Sequence, residues 1–281
     1  MTDDPKVLVA LLKDACEVRN VMWQEEPHPS THGQQDISKA KHLYGSAEPG
    51  RRIYELANLW LIIAAEEIRG VGVLIEERRS WPAMFPLIRA NIEHCGAVLW
   101  LTDKDASLET RAARAATAML DGRERELGVA AKIAPGSPEH GAAKQRLGEL
   151  IKQIESESGP VGHNPWSVQG ERMIGPTKCA ALIGERTGNP AEWTGIYGYL
   201  CGMGVHPGLA FGGALRPNGP GQAQIVMSDH YLERFIGACV HPFLMALGAV
   251  ASSMGWERAL FDDYHRRCAT VVGPPMDPLT R

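Results

Sequence analysis

Residues 51–79 read RRIYELANLWLIIAAEEIRGVGVLIEERR, and residues 82–101 read PAMFPLIRANIEHCGAVLWL. The first stretch holds no proline, and Ile53, Leu56, Leu59, Trp60, Ile63, Ala64 and Ile68 recur at the three- and four-residue spacing of one helical face. Pro82 then opens a second helix, where the missing N–H of a proline costs nothing in the first turn. This helix is apolar over most of its circumference (Met84, Phe85, Leu87, Ile88, Ile92, Val98, Leu99, Trp100), as befits a central helix rather than a surface one. Two consecutive long helices with no period-two alternation predict an all-α, multi-helix bundle.

Working outward, Lys6 to Asn20 carries Val7, Leu8, Leu11, Leu12 and Cys16 on one stripe and predicts an amphipathic first helix. The segment 25–50 turns polar, with Pro27, Pro29, Gly33, Pro49 and Gly50 around a short helix at Asp36 to Tyr44, and is expected at the surface. Ser107 to Ala134 and Pro138 to Glu157 are rich in good helix formers, the run Arg123-Glu124-Arg125-Glu126 reading as a solvated face. Gly159-Pro160 stops the second of these. Residues 159–175 then read as an irregular loop and a hinge.

Helices follow at Pro176 to Thr187, Pro190 to Gly202, Asp229 to Gly255 and Glu257 to Thr270. Between them, Pro207 to Gln222 is a glycine-rich loop late in the chain, and Ala223 to Met227 reads as a lone short strand. The expected organisation is a single helical domain over 1–281, with the helices at 51–80, 82–102 and 229–255 forming its core.

A balance of 29 basic against 33 acidic side chains, net charge −4, lacks the cationic excess of a general nucleic-acid surface. Six cysteines (Cys16, Cys95, Cys179, Cys201, Cys239, Cys268) stand singly, with no C-x-x-C pair, and read as reduced thiols. The N-terminus lacks the basic-then-apolar order of a signal peptide, so a cytoplasmic location is expected. Phe235 to Met254 is long enough to suggest a membrane span, but His241, Pro242, Ser252 and Ser253 favour a buried core helix, and no membrane partner is expected.

On the apolar second helix the polar residues stand out. Arg89 and Glu93, four apart, lie within roughly 40° on the wheel and can pair inside the bundle. One reading of such a pair is purely structural, a tie that fixes packing. His94 follows at once. Arginine stabilises charge on a phosphate oxygen while a histidine near neutral pKa moves a proton, so Arg89 and His94 are candidate catalytic residues, although five residues of helix set them about 140° apart. His206, where a helix runs into the glycine-rich loop, can reach a pocket. Together with Arg89 and Glu93 it would make a ligand-binding site for an anionic or amide-bearing molecule.

Other chemistries find little support. His94, His206, His230, His241, Glu93 and Asp229 are acceptable metal ligand types, but the only Glu-x-x-His is Glu25 to His28, and Pro29 and Gly33 break any helix that would align His28 with His32. No Gly-x-Ser-x-Gly elbow and no phosphate loop is present. Neither a metal nor a cofactor is implied.

The segment Arg89-x-x-x-x-His94 resembles the arrangement in metal-independent ribonucleases of the HEPN class, although that class usually carries a polar residue after the arginine and this chain has Ala90. The resemblance implies an RNA endonuclease, with RNA as its partner and a homodimer bringing the two residues together. A broader pattern, Arg89-x-x-x-Glu93-x-x-x-Ala97-x-x-Trp100-Leu101-x-Asp103, then Arg111-x-x-Arg114, Tyr199 and Gly204-Val205-His206-Pro207, resembles an all-helical family common in actinobacteria with no established activity. It covers about residues 55–210 and implies the helical fold. The function expected is a helical module that binds a small ligand or a protein partner through a polar pocket inside the bundle, the alternatives being HEPN-like RNA cleavage and a purely structural polar cluster.

Overall fold

The computed structural model describes residues 5–23, 27–77, 81–163, 165–204, 215–217, 223–225 and 229–272. Over these the chain is all-α, a multi-helix bundle fold. The helices are α1 (Pro5–Met22), α2 (His32–Tyr44), α3 (Glu48–Glu76), α4 (Met84–Leu101) after a 3-10 turn at Trp81–Ala83, α5 (Leu108–Ile133), α6 (Pro138–Ser158), α7 (Pro176–Thr187), α8 (Pro190–Gly204), α9 (Asp229–Met254) and α10 (Arg258–Val272). Helix starts follow side-chain chemistry. Thr31, Ser107 and Ser137 each accept a hydrogen bond from the backbone N–H three residues on, and prolines open α6, α7 and α8.

Within the chain that the sequence reading treats as one domain, packing separates two compact units: Met1–Pro27, Asn58–Trp100 and Gly175–Arg281 in the first, His28–Ala57 and Leu101–Ile174 in the second. In the first unit α1 packs on α9 and α10, and α7 forms a hairpin with α8. Its buried side chains include Leu12, Leu61, Ile68, Phe85, Ile92, Phe243 and Tyr264. Tyr264 donates its hydroxyl to the Leu11 carbonyl (3.2 Å), and Asn91 donates to the Ala64 carbonyl (3.2 Å), tying α4 to α3. α4 approaches α7 so closely that a Cβ on Gly96 would stand 2.4 Å from the Cys179 Cβ.

In the second unit α5 and α6 form a hairpin, with Ala113, Ala116, Leu120, Leu147, Leu150 and Ile154 in its core. The described part of the segment expected as an irregular hinge loop, residues 161–163 and 165–172, forms an antiparallel meander of β1 (Val161–Gly162), β2 (Ser167–Val168) and β3 (Glu171–Arg172). Val161 and Val168 complete that core. Gln169 and Gly170 both adopt positive φ, the two-residue turn whose twist suits a hairpin. The strand expected alone at Ala223 to Met227 is, over its described residues, β5 (Ala223–Ile225), which pairs antiparallel with β4 (Leu215–Pro217).

Two further expectations are corrected. Segment 25–50 is not all surface, since α2 starts at His32 and buries Gly33, Asp36, Ile37 and Ala40. The inward face of α3 runs through Ile53, Tyr54, Ala57, Leu61, Ala64, Ala65, Ile68, Val71 and Ile75, while Leu59, Ile62 and Ile63 are exposed. A helix apolar on several faces does not reveal which one its neighbours cover. Residues 234–254 are long and apolar enough to cross a membrane by composition, but 83% of that window is buried inside the fold, as in a core helix.

Candidate functional site

In the first unit α4 carries polar residues in two adjacent groups. Arg89 and Glu93, one turn apart, pair through Nε and Oε1 at 2.8 Å. Tyr197 of α8 closes the group: its hydroxyl donates to the same Glu93 oxygen (2.5 Å) and accepts from Arg89 Nε (3.1 Å). The guanidinium carbon lies 5.5 Å from the Tyr197 ring centre, within cation–π range. Tyr197 is buried, whereas the Arg89 and Glu93 side chains keep 27% and 29% of their surface in solvent.

That geometry sets the charges. Burial works to lower the Arg89 guanidinium, but hydrogen bonds to Tyr197 and Glu93 outweigh it and hold the group above its ordinary value. Burial, then the Glu93 carboxylate, pushes the Tyr197 hydroxyl far above the usual phenol range. At neutral pH Arg89 is therefore a cation and Tyr197 a neutral hydroxyl donor. Arg89 engages only its Nε, so among the described residues both Nη atoms remain available as a planar pair of donors.

His94 faces a different neighbour. Its Nδ1 lies 3.1 Å from Oε2 of Glu67 on α3, with 28% of the His94 and 12% of the Glu67 side chain exposed. Burial raises the Glu67 pKa against the opposing pull of His94. Within one chain, then, Arg89 and Glu93 come together while Arg89 and His94 engage separate partners, as the helical wheel anticipates. His206, the third ligand-binding candidate, lies outside the described residues, as do most residues of the glycine-rich loop. Among the described residues no group of three or more His, Cys, Asp or Glu side chains is placed to hold a metal ion.

Sequence reasoning missed Tyr197 and Glu67. Tyr197 shares the buried face of α8 with Trp193 and Leu200 at four- and three-residue spacing, so one polar hydroxyl on an apolar stripe was the available signal. It stands two residues before Tyr199 of the family-like pattern, and Tyr199 instead stacks on Phe235.

The second unit holds a more deeply buried cluster, also missed. Asp36 accepts from Arg111 Nη2 (2.8 Å) and from the Tyr54 hydroxyl (2.6 Å), and all three residues are buried. His32, one turn before Asp36 and about one-third exposed, brings Nδ1 to 3.2 Å from Arg111 Nη1 and 3.3 Å from Asp36 Oδ2. A guanidinium only donates and a carboxylate only accepts, so the first contact suits an unprotonated Nδ1 and the second a protonated one. Burial lowers the His32 pKa, Asp36 opposes this, and Arg111, Lys104 and Lys39 reinforce it. The cluster ties α2 to α3 and α5, and a buried ion pair of this kind needs no functional explanation. Set beside known proteins, the chain matches no protein-family model, no curated protein and no solved structure.

Proposed function

We propose that the chain is a helical binding module whose ligand site is built on Arg89, Glu93 and Tyr197. The observation that carries this reading is the half-used guanidinium: Arg89 is clamped through Nε by Glu93 and Tyr197, is partly exposed, and has both Nη donors unengaged among the described residues. A fork held in one orientation has already lost its rotamer freedom, so binding a planar acceptor costs less entropy. The matching ligand class is a small molecule or protein segment presenting a carboxylate, a phosphate or an amide. His206 belongs to this proposal as a further contact. The cytoplasm is the proposed location, and six unpaired cysteines suit its reducing conditions.

The test is a thermal-shift screen of small carboxylates, phosphates and primary amides, repeated with Arg89→Lys. Lysine keeps the charge and loses the fork. Compounds that stabilise the wild type and lose that effect in the variant support the site, whereas stabilisation indifferent to Arg89→Lys removes it.

HEPN-like RNA cleavage is the second reading, favoured by one observation. Glu67 orients His94 through Nδ1 and leaves Nε2 without a partner among the described residues, the arrangement a general base needs. The reading requires a homodimer, in which the Arg89 of one copy would serve the His94 of another. Incubating an RNA pool with the metal-free protein and its His94→Ala variant tests it: cleavage lost in the variant supports catalysis, and an inactive wild type ends the proposal.

A further inference from the structure

On the face of α8 away from Trp193 and Tyr197, residues Glu192, Gly195, Ile196 and Tyr199 line a cleft of about 300 Å³ with Arg234 and Phe235 of α9. The volume lies at the small end of the range for small-molecule sites. One wall is aromatic: the Tyr199 and Phe235 rings stack with centres 5.6 Å apart and planes at 25°. Phe235 is buried and meets Phe85 edge-on at 5.1 Å, which anchors the wall, while Tyr199 remains 40% exposed. The floor is open because Gly195 lacks a side chain, and a Cβ built there meets nothing within 4 Å.

The rim is cationic in its unmet capacity. Glu192 has both carboxylate oxygens engaged, Oε1 by Arg234 Nη2 (3.1 Å) and Oε2 by the Asn189 amide (2.6 Å). Arg234 uses that one nitrogen, is about half exposed, and makes no other hydrogen bond among the described residues. A flat apolar body would lie over Gly195 against the Tyr199 ring, and an anionic substituent would meet the remaining Arg234 donors. A cationic substituent would instead meet the Arg234 guanidinium, to which the Glu192 charge is already paired.

We propose that this cleft between α8 and α9 is a binding site for a small planar aromatic carrying a carboxylate or comparable anionic group. It is separate from the Arg89 cluster and independent of the reading given above. Titration of the full chain with 2-naphthoate, and with neutral 2-naphthamide, followed by calorimetry, tests it. The wild type is expected to bind naphthoate saturably at one site and more tightly than naphthamide. Arg234→Gln should weaken naphthoate by roughly 1.5- to fivefold, the range for one half-exposed ionic contact, and leave naphthamide unchanged.

Gly195→Leu fills the floor and should abolish both ligands. Should that variant melt early, Tyr199→Ala, which removes the exposed wall, serves in its place. Arg89→Lys should leave naphthoate binding intact, so loss of the Arg89 proposal and loss of this one are told apart. No saturable naphthoate binding by the wild type, or binding unchanged by both Arg234→Gln and the cleft-altering variant, overturns the proposal.

Discussion

Arg111 Nη1 meets His32 Nδ1 at 3.2 Å, a contact that holds only while that nitrogen is unprotonated. Asp36 accepts from the same guanidinium at 2.8 Å and is buried with it, so the histidine sits at the partly exposed edge of a buried charge network.

A pH dependence follows. Burial and three neighbouring cations depress the folded-state pKa of His32 despite the opposing pull of Asp36, so the folded chain binds this proton less readily than the unfolded one. The contribution to stability is complete above the unfolded value of about 6.5 and is lost as pH falls through the folded pKa. Melting curves of wild type and His32→Gln between neutral and mildly acidic pH should show the wild type losing more. Glu67, whose raised pKa acts in the opposite sense, cancels in the comparison. Parallel curves would remove His32 from the account.

Breaking the buried pair is costlier than replacing it. Asp36→Ala leaves the Arg111 guanidinium buried without its counter-charge and should cost ~3–5 kcal/mol, whereas Asp36→Leu with Arg111→Met should cost clearly less than either single change. Tyr54→Phe, which removes one hydrogen bond to Asp36, should cost ~1–2 kcal/mol. Urea unfolding of these variants measures all of this, and additive losses in the double variant would contradict the coupling.

Two glycine substitutions should differ in sign. Gly96→Ala places a methyl 2.4 Å from the Cys179 Cβ and 2.7 Å from its Cα, forcing α4 and α7 apart at a cost of about 1–3 kcal/mol. Gly148→Ala on α6 meets nothing within 4 Å and should gain ~0.5–1 kcal/mol from helix propensity alone. Thermal denaturation distinguishes them, and a stabilised Gly96→Ala would deny the close approach.

Thiol reactivity should be selective. Cys95, Cys179, Cys239 and Cys268 are buried, while burial and the neighbouring Glu66 carboxylate push the half-buried Cys16 up to about 11. Ellman titration of the native chain at neutral pH should modify Cys201 first, and rapid modification of Cys95 or Cys239 would mean that the first unit opens readily.

Helix positions were legible because their causes are local. Pro176 and Pro190 mark starts that the structure reproduces, and the apolar periods of residues 51–79 and 82–101 required helices whatever surrounded them. The pairing of Arg89 with Glu93 was legible for the same reason, being a one-turn relationship on a single helix. The Gln169-Gly170 turn was available in principle, but strands of two residues carry too little alternation to be read.

Tertiary structure alone decided the rest. Tyr197 reaches Glu93 from 104 residues away, Glu67 meets His94 across 27, and Arg111 meets Asp36 across 75. No periodicity encodes such distances. The inward face of α3 was undetermined for a related reason: Leu59 and Leu61 are the same residue type, and only the packing of neighbouring helices leaves one exposed and the other buried. The sequence by itself thus determined where the chain coils and which α4 residues share a turn, because hydrogen bonding and side-chain spacing within a helix act over a few residues. Which polar groups meet was decided by the fold, because those contacts depend on helices that the chain brings together only when it packs.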